Sequence, residues 1–310
     1  MMEQERPGQA GTGSAAPEDR RGNVIQRMSP VGFAVVSLIV VFVLYQVIGG
    51  AALLVFGGQP KADTVGLFRW FTLLGQITGI LLPTLVLIRL RTPDVRGYLR
   101  LKLPSPVEIL VTVVAVFSLQ QVLQGYLALQ EAIPLPENVR VIVERIKDLF
   151  EETYRILVGA ESVPEFVFVV LIVAVVPALA EEFLFRGIVQ RSMEETVGGL
   201  RGAILAGVIF GAFHMNPFSL VPLVALGIFF GYLVFRSRNI TLAVAAHFFN
   251  NFIACTATYL KLRDDFVVLA PDQTASLSLV AVNTSFFGIV FLVSLLYFKR
   301  LTQPEQNDAE

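Results

Sequence analysis

Glu181-Glu182-Phe183-Leu184-Phe185-Arg186 follows an apolar run from Val167 to Ala180. A carboxylate or guanidinium at the middle of a bilayer costs roughly 2.5–3.5 kcal/mol on the translocon scale. Three such groups cost about 8–10 kcal/mol unless they pair, reach water or meet partners on other helices. Their partners must therefore come from elsewhere in the sequence.

The chain of 310 residues is 55% hydrophobic and 16% charged, with a mean hydropathy of +0.68. Soluble domains carry nearer a quarter charged residues, so the composition is that of an all-α, polytopic membrane helix bundle. The net charge of −1 offers no basic patch for nucleic acid. One cysteine, Cys255, excludes a disulfide framework and a cysteine-rich metal site. Only two histidines occur, His214 and His247, and both lie in apolar segments.

Residues 1–30 are polar and without periodicity, and read as a disordered tail with no signal-peptide pattern. About eight apolar segments fill residues 31–300: Val31–Phe56, Gly66–Ile88, Pro106–Leu129, Val163–Glu195, Leu200–His214, Phe218–Phe235, Ile240–Leu260 and Leu277–Tyr297. Gly57-Gly58 and Pro60 close the first, and Trp70 falls near an interface in the second. Residues 301–310 form a second tail. The basic groups Arg89, Arg91, Arg96, Arg100 and Lys102, then Arg236 and Arg238, then Lys299 and Arg300, place two connections and the C-terminal end inside the cell, with both termini in the cytoplasm. The loop before Val163 carries Val139, Ile142, Val143, Ile146, Leu149, Phe150, Tyr154 and Leu157 at helical spacing, an amphipathic stripe that suits either the membrane interface or the bundle. Asp264, Asp265 and Asp272 sit in the last outer loop.

Depth brings the ionisable groups together. Val197-Gly198-Gly199-Leu200 reads as a tight turn between antiparallel helices. Reflection about this turn pairs Glu181 with His214 and Phe185 with Phe210. Glu181 lies ten residues beyond Arg191, about 15 Å deep, and His247 lies nine beyond Arg238, roughly 14 Å deep. Glu182 and Arg186 stand at i and i+4, as do Phe210 and His214, and His247 and Asn251. Glu182 can pair with Arg186, which leaves the Glu181 carboxylate free. Pro177 removes an amide donor one turn before Glu181 and kinks the helix.

Glu181-Glu182-x-x-x-Arg186, Phe210-x-x-x-His214 and His247-x-x-x-Asn251, in that order on consecutive apolar helices, resemble the CAAX prenyl endopeptidase and bacteriocin-processing (CPBP, or Abi) intramembrane protease family. The resemblance covers about residues 163–260. It implies an endopeptidase in which Glu181, helped by His214, activates water, while His247 and Asn251 stabilise the oxyanion. Glu182, Arg186 and Phe210 would support them. It also implies a peptide or protein substrate, with lipidated tails and small secreted peptides within the family's range, in a multi-pass protein of the cell membrane. No cofactor is expected. The metal alternative is Zn²⁺ on Glu181, His214 and His247, which lacks the compact His-Glu-x-x-His spacing of soluble zinc enzymes. A non-catalytic immunity or scaffold protein is the other alternative.

Overall fold

The computed structural model describes residues 22–56, 63–260 and 277–302. Its elements are helices throughout, with no strand among the described residues. Asn23 caps a single turn, α1 (Val24–Arg27), through a reciprocal capping box with Gln26. Within the lead expected to lack structure, this turn is therefore ordered. Arg91 holds it by donating to the carbonyls of Ile25, Gln26 and Met28. Residues 57–62, with the expected Gly-Gly-Pro stop, and the acidic outer loop lie outside the described residues, as do positions 1–21 and 303–310.

Two long apolar helices follow, α2 (Pro30–Phe56) and α3 (Val65–Arg91), the latter with a π-helical turn at Ile77–Leu81. A short α4 (Val95–Tyr98) lies in the basic connection. Ser105 then starts α5 (Pro106–Glu131) by exchanging hydrogen bonds with Glu108, with Pro106 in the first turn, where its missing N–H is no loss. The amphipathic α6 (Glu137–Val158) starts behind Pro136. Most of its stripe is not buried in the bundle, although Leu157 packs on the cluster of Leu73, Ile172 and Val176 and Val143 is half-buried. Val139, Ile142, Ile146, Leu149, Phe150 and Tyr154 are all exposed, and Val158 alone on the helix is fully buried.

Four helices hold the site, three of them carrying the motifs. They are α7 (Val163–Val197), α8 (Gly199–Phe213), α9 (Leu220–Ser237) and α10 (Ile240–Tyr259). The last, α11 (Leu277–Leu301), packs along α5, where Phe117 meets Phe287 edge to face at 5.7 Å. Seven of these helices are long and apolar enough to cross a membrane, and α8 is a shorter apolar helix. The protein is accordingly an all-α, integral membrane bundle. Of the eight expected segments, the fifth is the one that falls short, because Asn216-Pro217 ends α8 and cannot continue it.

The turn between α7 and α8 is made by Gly198, whose φ of 92° suits glycine and strains other residues. Beyond it α8 lies hard against α9. A Cβ on Gly207 would strike the backbone of Gly227 and Ile228, so this pair approaches at a distance only glycine permits. At the other end of α7, buried Arg69 of α3 forms an ion pair with Glu165 and donates to the carbonyls of Leu157 and Gly159. That clasp joins three elements and fixes where α7 enters the bundle.

Candidate active site

The site is assembled by irregularities in α7. This helix contains two π-helical stretches, Leu171–Val175 and Phe183–Gln190, on either side of the regular turns that bear Pro177, Glu181 and Glu182. Insertions of this kind rotate the residues that follow them and recur at functional sites. Pro177 has no N–H for the carbonyl of Val173, four residues earlier. Asn251 of α10 donates its Nδ2 to that carbonyl at 2.9 Å. The Asn251 Oδ1 accepts from Asn250 Nδ2 at 3.0 Å. A side chain from α10 thus satisfies the carbonyl that Pro177 cannot.

Glu182 is the centre of a dry charged cluster. Its carboxylate faces Arg186 Nε at 3.1 Å and His247 Nδ1 at 2.9 Å, and the side chains of Glu182 and Arg186 are both fully buried. Arg186 Nη2 also donates to the carbonyl of Gly227 on α9 at 3.1 Å. The guanidinium lies 5.0 Å from the centre of the Phe210 ring and 5.8 Å from that of Phe230. These aromatic faces give the cation an environment more favourable than bare hydrocarbon. Phe230 in turn stacks on the His247 ring at 5.3 Å, with 20° between planes. A carboxylate can only accept here, so His247 donates its Nδ1 proton to Glu182, which fixes the tautomer and the ring plane.

Glu181 is treated differently. Its side chain is 19% exposed, and its Oε2 stands 3.6 Å from His214 Nε2. That separation is too long for a hydrogen bond, and Oε2 is buried without a hydrogen-bond partner. The His214 ring is fixed from behind, its Nδ1 lying 2.8 Å from the carbonyl of Phe210. A carbonyl only accepts, so Nδ1 carries a proton and the Nε2 of the neutral ring is left as an acceptor facing Glu181. His214, His247 and Arg186 all act electrostatically on Glu181, as Glu181 does on Tyr45 of α2.

All seven residues singled out by spacing are brought to this region. The reflection about the turn holds: Phe185 and Phe210 meet edge to face at 5.1 Å, and Glu181 faces His214. Glu182 pairs with Arg186 as the i, i+4 spacing requires. Phe210 touches more of the site than expected, lying against Arg186, His214 and His247. Sequence reasoning missed Phe230 and Tyr45, which nothing distinguishes from the many other aromatic residues of the apolar segments. The hydrogen bond from Asn251 to Val173 had a signal, since a proline inside a helix always frees the carbonyl four residues back.

Glu181, His214 and His247, considered above as a zinc set, are divided between two clusters. Glu181 faces His214, and His247 is turned onto Glu182. Among the described residues, no group of three or more histidine, cysteine, aspartate or glutamate side chains is placed to hold a metal ion.

Residues 163–253 match the family described as type II CAAX prenyl endopeptidase Rce1-like. The core of the chain is similar to CAAX proteases. The matched segment contains Glu181, Glu182, Arg186, Phe210, His214, His247 and Asn251, so the resemblance drawn from three motifs is borne out over the helices that carry them. No curated protein and no solved structure matches the chain.

Proposed function

We propose that the chain is an intramembrane endopeptidase in which Glu181, facing His214, activates a water molecule at the exposed edge of its carboxylate. The observation that carries this reading is the contrast within the pair: Glu182 is fully buried on Arg186 and His247, whereas the Glu181 side chain is 19% exposed and faces His214 Nε2 across 3.6 Å. In the reaction Glu181 accepts a proton as the water oxygen bonds to the scissile carbonyl carbon. The C–N bond then breaks, and the same carboxyl returns the proton to the amine.

The oxyanion that forms between these steps needs donors. His247 donates Nδ1 to Glu182, and its imidazolium form has Nε2–H to offer. Asn251 uses one Nδ2 hydrogen on Val173 and keeps a second. Glu182, Arg186 and Phe230 act as positioning residues that hold the His247 ring. Access for water comes from the shortness of α8. His214 lies thirteen residues beyond Arg201, about 20 Å along the helix, inside a hydrocarbon core about 30 Å thick. Non-helical backbone at such depth persists where it is buried in protein or lines water, and Met215 and Pro217 are exposed. The substrate is a peptide segment presented at the membrane, and the positive-inside rule applied to the basic connections supports cytoplasmic termini.

A library of quenched fluorescent peptides, prenylated and unprenylated, tests the activity on purified protein. Glu181→Gln keeps the shape and removes the base, so turnover falls by about 10²–10⁴-fold while thermal unfolding in detergent stays as in wild type. Unchanged turnover would refute the assignment. The reading is free of metal. Exhaustive chelation leaves activity intact under it, whereas loss that stoichiometric zinc restores replaces it with a metalloprotease.

A further inference from the structure

On the face formed by α4, the end of α7 and the turn between α9 and α10, a shallow basin of about 520 Å³ is lined by Arg96, Arg100, Lys102, Arg191, Arg238 and Asp94, among others. Three carboxylates stand against these five cations. Glu194 bridges Arg100 at 2.8 Å and Arg238 at 3.0 Å, and Glu195 takes Arg191 at 3.3 Å. Asp94 is occupied in capping α4, accepting from Gly97 N at 2.9 Å. Positive charge is left in excess. Arg96 and Lys102 are exposed with no protein partner among the described residues, and Arg100 Nη1 is buried with no hydrogen-bond partner.

The basin is built rather than accidental. Arg100 and Arg238 both hold left-handed backbone, at φ of 55° and 51°, which is disfavoured for residues other than glycine. The carbonyl of Arg100 accepts from Ile240 N at 3.3 Å, which joins the two strained turns. Beside Lys102 stands Leu103, 96% exposed, and the exposed Val107 and Leu110 continue an apolar track along the first turns of α5. Cations at the rim with an apolar track leading into the bilayer suit a group that is anionic at one end and carries hydrocarbon at the other.

We propose that this basin binds a phosphate group, and the apolar track favours one carried by an anionic phospholipid. The site is separate from the Glu181–His214 pair and does not depend on the proteolytic reading. The test titrates detergent-purified protein with short-chain phosphatidylglycerol, short-chain phosphatidylcholine and inorganic phosphate, following unfolding temperature and bound ligand by native mass spectrometry. Phosphatidylglycerol binds more tightly than phosphatidylcholine. Arg96→Gln and Lys102→Gln each weaken it about fivefold, the loss expected for one basic side chain at a membrane surface. The charge-retaining pair Arg96→Lys, Lys102→Arg preserves binding, as does Arg145→Gln on α6. Inorganic phosphate binding as tightly as the lipid, with the same sensitivity to Arg96→Gln, keeps the site and assigns it a soluble ligand. Equal affinity for the two lipids without phosphate binding, or indifference to both glutamine variants, overturns the proposal.

Discussion

Glu181 and Glu182 are neighbours in sequence with opposite surroundings, and the difference follows from which helix each one faces. Glu182 points at Arg186 and His247 in a dry cluster, while Glu181 points across the hairpin at His214 beside partly open space. Removing one member of a buried ion pair leaves the other charge uncompensated, which costs about 3–5 kcal/mol. Glu182→Gln therefore lowers the unfolding temperature sharply, whereas Glu181→Gln does not. Parallel melts of the two variants in one detergent check this, and equal melting points would mean that the two carboxylates do not divide the work in this way. The pairing of Glu182 with Arg186 was legible because helical spacing alone brings i and i+4 together. The bond from Glu182 to His247 was not legible, since sixty-five residues separate them and only the packing of α10 against α7 decides which carboxylate the ring meets. Phe230 was hidden for the same reason. It stacks on His247 from a helix that carries no motif.

At the scale of elements, the proline in α7 and the side chain that serves its freed carbonyl form one unit. Val173 loses its helical donor to Pro177 and gains Asn251 Nδ2. Asn251→Ala leaves a buried carbonyl unsatisfied, at a cost of about 1–3 kcal/mol. Pro177→Ala supplies a backbone N–H that can take over that carbonyl. The double variant is then less destabilised than the sum of the single variants, with a coupling of about 0.5–3 kcal/mol. Strict additivity in thermal or denaturant unfolding would show that Asn251 does not serve that carbonyl. The register of the α7–α8 hairpin was legible to the residue, because two glycines fix the turn and equal numbers of residues on either side reach equal depth. The π-helical stretches were not. Each inserts a residue into the ladder in response to packing, and no local spacing announces it. In a Cys255→Ser background, Phe185→Cys with Phe210→Cys crosslinks with a short reagent. Phe185→Cys with Ile204→Cys, about 9 Å out of register along the axis, does not, and equal yields from the two pairs would remove the hairpin geometry that joins Glu181 to His214.

Across the whole molecule, the order of apolar segments and basic connections was legible from composition because the bilayer allows few solutions. The shortness of α8 depended on where Asn216-Pro217 falls relative to the turn, and its consequence for access emerges only when depth is counted from Arg201. Three single cysteines in the Cys255→Ser background follow from this arrangement. Arg201 is exposed beside the hairpin turn, on the side of the basic connections, and Glu152 is exposed on α6 at the opposite end. In sealed cells a membrane-impermeant maleimide labels Glu152→Cys, and it labels Arg201→Cys only after the membrane is opened. Met215 is the deciding position. It follows His214, is 57% exposed and already adopts left-handed backbone, so a cysteine there adds no strain of a new kind. Maleimides react with the thiolate, which exists only where water can hydrate it. If residues 214–219 line a water-filled approach to Glu181 from the outer face, Met215→Cys labels from outside, more slowly than Glu152→Cys. Labelling from the inner face alone would reverse the direction from which water and substrate enter. No labelling from either face, in a protein whose other two cysteines react as stated, would place Met215 in lipid and leave the carboxylate at Glu181 without the water that its chemistry requires.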